Sequence, residues 1–139
     1  MNQTISSLMQ REVCWVSADD TMQAVESILV ARGLSWVPVM DESGSVLGVI
    51  SSTDLLRFHA DGKEASVVCA WQICTYKPIS VRPDTPLSEV ARMMVESNIH
   101  HVVVTDGTDI RGVVSSFDFV RTFMKQQATA PTGADGSGR

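Results

Sequence analysis

Cysteine is scarce in this 139-residue chain: Cys14, Cys69 and Cys74 are an odd number and show no CxxC spacing. A disulfide framework needs paired cysteines and a zinc site needs more ligands at closer spacing, so neither is expected. Three thiols of this kind pack as small hydrophobes and point to a reducing cytoplasm. Positive charge is also short. Eleven Lys and Arg face 16 Asp and Glu, for a formal charge of −5. That excludes a generally basic surface and the non-specific binding of nucleic acid that goes with it. No apolar run approaches the roughly 20 residues of a membrane span. The opening Met1-Asn2-Gln3-Thr4 lacks a positive n-region followed by an apolar stretch, so no signal peptide is expected. Hydrophobic residues at 44% and charged residues at 19% fit an ordinary globular core of about one domain.

The chain is written twice. At an offset of 65, Val16 matches Val81, Asp19 matches Asp84, and Val25, Val30, Val37 and Val39 match Val90, Val95, Val102 and Val104. One residue then drops out of a Gly-containing turn, and the register continues at 64: Gly48 with Gly112, Ser51 with Ser115, Asp54 with Asp118, Arg57 with Arg121. A length change confined to a turn, with apolar positions kept on both sides, marks two copies of one supersecondary unit.

Each copy predicts an extended piece, a helix, a two-stranded hairpin and a final helix, an α+β unit. In the first copy Val13–Ser17 is extended, and Asp20 or Thr21 opens a helix with Met22, Val25, Ile28 and Leu29 on one face and Gly33 as its stop. Strands follow at Trp36–Met40 and Val46–Ile50, then a helix from Ser51. In the second copy Pro78–Arg82 is extended, Thr85 serves as N-cap with Pro86 first in the helix, and Asn98 takes the left-handed stop. Strands at Val102–Thr105 and Ile110–Val114 and a helix from Ser115 complete it. One unit has a single small sheet with a face to bury, so two packed as a pseudo-two-fold pair make the core. Residues 1–60 are read as the first repeat with its N-terminal segment, 61–67 as a polar linker, 68–125 as the second repeat, and 126–139 as a disordered tail with no apolar pattern.

The sharpest local signal is Gly48-Val49-Ile50-Ser51-Ser52-Thr53-Asp54, repeated as Gly112-Val113-Val114-Ser115-Ser116-Phe117-Asp118. A strand ends at a hydroxyl residue and a carboxylate follows one helical turn later. Two readings fit. Ser at the N-cap with an acid at N3 is a capping-box arrangement that also suits the helix dipole. The same geometry points a carboxylate and free N–H groups into a cleft, where they suit a ribose diol and a phosphate.

The duplicated unit and its Gly-h-h-Ser-x-x-Asp endings resemble a pair of cystathionine-β-synthase (CBS) domains over residues 5–124. The resemblance implies a stand-alone regulatory module that binds an adenine nucleotide (AMP, ADP or ATP) in clefts between the repeats. It would need no other cofactor, would form a homodimer, and would pass its signal to a separate effector protein. Carried over, one cleft holds Ser51, Thr53 and Asp54 with Thr75, Ile79 and Ser80. In it Asp54 grips the ribose diol, the hydroxyls meet ribose and phosphate, and Ile79 and Ser80 line the adenine. The other holds Ser115 and Asp118 with Gln10, Cys14 and Trp15. The first ranks above the second because Phe117 replaces Thr53, Gln10 replaces Thr75, and bulky Trp15 stands where the first has Ser80. Ile99-His100-His101-Val102-Val103-Val104 is similar to a Val-His-Arg-Leu-Val-Val-Val stretch of AMP-activated protein kinase gamma subunits, which implies that His100 and His101 meet phosphates. Histidines at the start of a strand are also ordinary surface or cap residues. Arg82 is a further candidate for phosphate, or else a solvated arginine.

No nucleophile stands beside a base, and HExxH and GxxxxGK[ST] are missing, so no enzyme is expected. Adjacent histidines on one strand point to opposite faces and do not act jointly on one atom. The competing readings are a structural or dimerisation module without ligand, and a sensor of S-adenosylmethionine or NAD(H).

Overall fold

A computed structural model describes residues 3–76 and 78–128. It is a mixed α+β fold with two small sheets, one per repeat. The first repeat contributes β1 (Val16–Ser17), α1 (Met22–Arg32), β2 (Trp36–Met40), β3 (Val46–Ser51) and α2 (Ser52–Ala60). A short α3 (Ala70–Ile73) and β4 (Thr75–Tyr76) follow. The second repeat contributes β5 (Ser80–Val81), α4 (Leu87–Glu96), β6 (His101–Asp106), β7 (Asp109–Ser115) and α5 (Ser116–Ala128).

Local chemistry sets these bounds. Thr21 caps α1, its Oγ1 accepting from Ala24 N at 3.2 Å, and Met22, Val25 and Leu29 bury one face. Gly33 ends α1 in the left-handed conformation at φ 63°. At the equivalent position Asn98 takes φ 53°, which asparagine tolerates because its short amide can bond locally. The second N-cap is Pro86, not Thr85. Pro86 is the counterpart of Thr21, and with ψ at 139° it lies outside the helix while its carbonyl still accepts from Glu89 and Val90. Helix α5 runs on to Ala128, so the first residues of the expected tail are helical, since Gln and Ala favour helix even without an apolar face to bury. The rest of that tail lies outside the described residues.

Within each sheet a short parallel strand flanks an antiparallel hairpin: β1 pairs with β2 and β5 with β6 in parallel, while β2–β3 and β6–β7 are antiparallel. Both hairpins carry a bulge at the same place, after Val39 and after Val104. The core splits in two. One cluster holds Val16, Met22, Val25, Leu29, Val37, Val39, Ile50 and Phe58; the other holds Val81, Val90, Met94, Val102, Val104, Val114 and Phe119.

The segments leading into each repeat are exchanged. Ile5 and Met9, at the front of the first repeat, are buried in the second cluster, and Ala70 and Cys74, ahead of the second repeat, are buried in the first. Chain order and core membership therefore differ for both segments. The exchange is symmetric at the backbone. Thr4 bridges Pro86 while Cys69 bridges Thr21, and Gln10 bridges Val113 on β7 while Thr75 pairs with Val49 on β3.

This crossing explains the glycine of the repeated motif. A Cβ on Gly48 would sit 2.4 Å from the Thr75 carbonyl oxygen, and one on Gly112 would sit 2.7 Å from Met9 Sδ and 2.9 Å from the Gln10 carbonyl oxygen. Any side chain there pushes the partner repeat's segment off the sheet. Gly48→Ala is therefore expected to cost about 1–3 kcal/mol by overpacking against backbone. Thermal unfolding should show it as a melting temperature lowered by at least about 4 °C.

Candidate functional site

The segment exchange leaves a cavity on either side of the pair, each built from both repeats. The first, of about 570 Å³, is lined by Ser51, Thr53, Asp54, Thr75, Ile79, His100 and His101, together with Arg57 and Ser35. The second, of about 510 Å³, is lined by Gln10, Glu12, Cys14, Trp36, Ser115, Phe117, Asp118 and Arg121, and again by Ser35.

Asp54 and Asp118 are buried, and each divides its two oxygens between two tasks. Asp54 Oδ2 accepts from Ser51 N at 2.8 Å and from Ser51 Oγ at 3.1 Å, which holds the start of α2. Asp54 Oδ1 faces the other repeat's segment, accepting from Thr75 Oγ1 at 3.4 Å, with Arg57 Nη1 also at 3.4 Å. Asp118 repeats the pattern: Oδ2 accepts from Ser115 N at 2.8 Å and Ser115 Oγ at 3.2 Å, while Oδ1 takes Gln10 Nε2 at 3.2 Å and Arg121. Gln10 and Thr75 are equivalent positions. Each carboxylate thus caps its helix with Oδ2 and turns Oδ1 toward the other repeat's segment.

Two expected lining residues are elsewhere. Ser80 is exposed on β5 and lines neither cavity. Trp15, half exposed, lines a separate depression with the hairpin turns and does not crowd the second cavity. Ile79 and Cys14 line the cavities, and the residue after each turns away. Arg82 is likewise removed from both cavities, ion-paired with Asp84 at 3.5 Å and Asp106 at 3.6 Å.

His100 and His101 do line one cavity together, with ring centroids 6.5 Å apart. His100 lies just before β6, so strand alternation does not separate the pair. His101 packs on Trp36 of the first repeat at 4.5 Å between ring centroids. These two are also equivalent positions, and their stack separates the first cavity from the second. Burial lowers the His101 imidazole from its ordinary 6.5 to about 4, with His100 acting in the same direction and the Asp54 carboxylate opposing. At neutral pH, without ligand, His101 is therefore a neutral ring. Glu12, Arg121 and the role of Ser35 in both walls escaped sequence reasoning. The first two stand two residues after Gln10 and three after Asp118, spacings visible only once the cleft is known. Among the described residues no three or more His, Cys, Asp or Glu gather where they could hold a metal ion. Nor is any of their helices long and apolar enough to cross a membrane.

The sequence profile of the CBS domain matches residues 5–61 and 70–125. The chain belongs to the CBS domain family. A relative of this CBS pair is the L-aspartate semialdehyde sulfurtransferase of Methanocaldococcus jannaschii, 31% identical over 111 residues, which are 78% of this chain and 21% of that protein. The chain spans between about a fifth and a third of the length of the first curated relatives it matches. Among solved structures, the CBS domain pair of protein MJ0100, in complex with 5′-methylthioadenosine and S-adenosyl-L-methionine, superposes with a TM-score of 0.82 at 24% identity, covering 91% of this chain and 99% of that one. CBSX2 in complex with AMP superposes with a TM-score of 0.78 at 21% identity, covering 89% and 98%. These likenesses establish the fold as that of a CBS domain pair.

Protonation of His101 is disfavoured in the folded CBS pair, so the unfolded chain binds more protons between pH 6.5 and about 4. This contribution to stability is complete above pH 6.5 and declines as pH falls through that window. The groups facing the ring are His100 and Asp54, the latter paired with Arg57. An NMR titration of the unliganded chain should place the His101 ring midpoint near 4, and a midpoint at 6 or above would contradict the burial seen here.

Proposed function

We propose that this CBS pair is a regulatory module that binds an adenine nucleotide in its first cavity. The observation that carries the reading is Asp54. One carboxylate oxygen holds the helix, and the other is presented across the junction beside Thr75, in a cavity large enough for a nucleotide. An ionised carboxylate in that position suits the two hydroxyls of a ribose. Ser51 and Thr53 add hydroxyls at the N-terminus of α2, where backbone N–H groups and the helix dipole favour phosphate. Arg57 and His100 stand on the same wall, and phosphate would draw a proton onto His101. Ile79 supplies apolar surface for the base. AMP in CBSX2 and the adenosyl ligands of the MJ0100 pair support the ligand class. In this reading the chain catalyses nothing, needs no further cofactor, and works in the cytoplasm, where its three free thiols persist. Ligand held between the repeats favours one angle between them, and a separate effector protein reads that angle.

Asp54→Ala should weaken AMP and ATP binding tenfold or more in calorimetric titration, since it removes charge-assisted hydrogen bonds. Asp118→Ala should lose a similar cap while leaving affinity at the first cavity within about threefold. Equal small effects from both would reduce Asp54 to a cap. No binding to the unaltered chain at millimolar AMP or ATP would overturn the reading.

The module is also proposed to be a homodimer. The sequence marks Leu55–Phe58 and Phe119–Met124 as exposed faces; the structure buries Phe58 and Phe119 but leaves Leu56 74%, Val120 48%, Phe123 48% and Met124 67% exposed. Equivalent helices of a second copy are the self-complementary cover for such faces. Sedimentation at tens of micromolar should give a dimer, and Leu56→Glu should shift it towards monomer.

A further inference from the structure

We infer that the second cavity is selective against phosphate and takes a neutral or cationic nucleoside. The inference rests on the proposed adenosyl-binding reading and concerns the half of the pair to which that reading gives no ligand. The two cavities are similar in size, so charge decides. Among the described residues Arg121 is the one cation lining the second, and it is already engaged twice: its Nη2 pairs with Asp118 Oδ1, and its guanidinium lies over the Phe117 ring at 5.0 Å. Glu12 adds a second carboxylate to the same wall. In sequence, the position equivalent to Glu12 is Lys77. No histidine lines this cavity, whereas two line the first.

A phosphate entering the second cavity therefore meets two carboxylates and an arginine it would have to detach from both a carboxylate and a ring. This cost falls on AMP and, with its greater negative charge, more heavily on ATP. A ligand without phosphate escapes it, and one bearing a positive charge gains from Glu12. Phe117 stands where the first cavity has Thr53, so a phosphate-facing hydroxyl has been exchanged for an aromatic surface. Asp118 retains the oxygen that suits a ribose diol.

NMR titration of the unaltered chain separates the two cavities without disabling either. The Cys14 amide and Phe117 ring report the second, and the Thr53 amide and His100 ring report the first. The probes are adenosine, S-adenosylmethionine as a cationic adenosyl compound, AMP and ATP. At the second set of reporters, adenosine and S-adenosylmethionine should bind at least tenfold more tightly than ATP. Glu12→Gln, at an exposed position, should narrow the ratio of S-adenosylmethionine to ATP at least threefold and leave the first set unchanged. ATP binding at Cys14 and Phe117 as tightly as adenosine overturns the inference. So does an unchanged ratio in Glu12→Gln, or a second set that no probe moves while AMP moves the first. If no probe moves either set, the adenosyl reading itself fails and this inference falls with it.

Discussion

Everything in this molecule depends on two backbone segments pairing with the edge of a sheet where there is no room for a side chain. Thr75 packs against Gly48, and Met9 and Gln10 pack against Gly112, each segment belonging by chain order to the opposite repeat. The exchange completes both cores, since Ala70 and Cys74 fill one and Ile5 and Met9 fill the other. It also creates the cavities. A repeat alone ends its sheet at an open edge; the borrowed segment covers that edge and brings Thr75 or Gln10 within reach of the buried aspartate.

The aspartates show how one side chain holds a helix start and still presents an oxygen to the opposite segment. A carboxylate has two oxygens and about four acceptor positions. The helix start uses Oδ2 through Ser51 or Ser115, leaving Oδ1 aimed across the junction. Water shielded by the second segment no longer competes fully for that oxygen, so its hydrogen bonds count for more than on an open surface. A residue retained for capping is, by position, already placed for a ligand.

Much of this was legible in the residues. The offset of 65, the hairpin strands and the left-handed stops at Gly33 and Asn98 follow from periodicity and turn chemistry. So does the Ser-x-x-Asp helix start, because all are local. The segment exchange was not legible, because Ile5–Ser7 and Ala70–Ile73 are single turns whose apolar residues look the same whichever core they enter. The outward placement of Trp15 and Ser80 was not legible for a related reason: which face of a short extended segment meets the cavity is fixed only by tertiary packing. The burial of His101 was not legible either, because its strand neighbours do not reveal that Trp36 packs on it.

Duplication explains why the two cavities differ where they do. Gly48 and Gly112 cannot change without displacing the crossing segments, and Asp54 and Asp118 cannot change without loosening a helix start. These positions stay alike because each copy needs them to fold. The positions beside them carry no such load. Thr53 and Phe117 are on exposed first turns, Thr75 and Gln10 present side chains from segments held by backbone bonds, and Glu12 is exposed. Substitution there alters what a cavity offers a ligand while leaving the pair intact. Trp36 and His101 are the exception, since they are stacked on one another at the wall between the cavities. A change at either alters both, so the pair is constrained as a unit, and an aromatic ring against a neutral imidazole satisfies that constraint without placing an unpaired charge between the repeats.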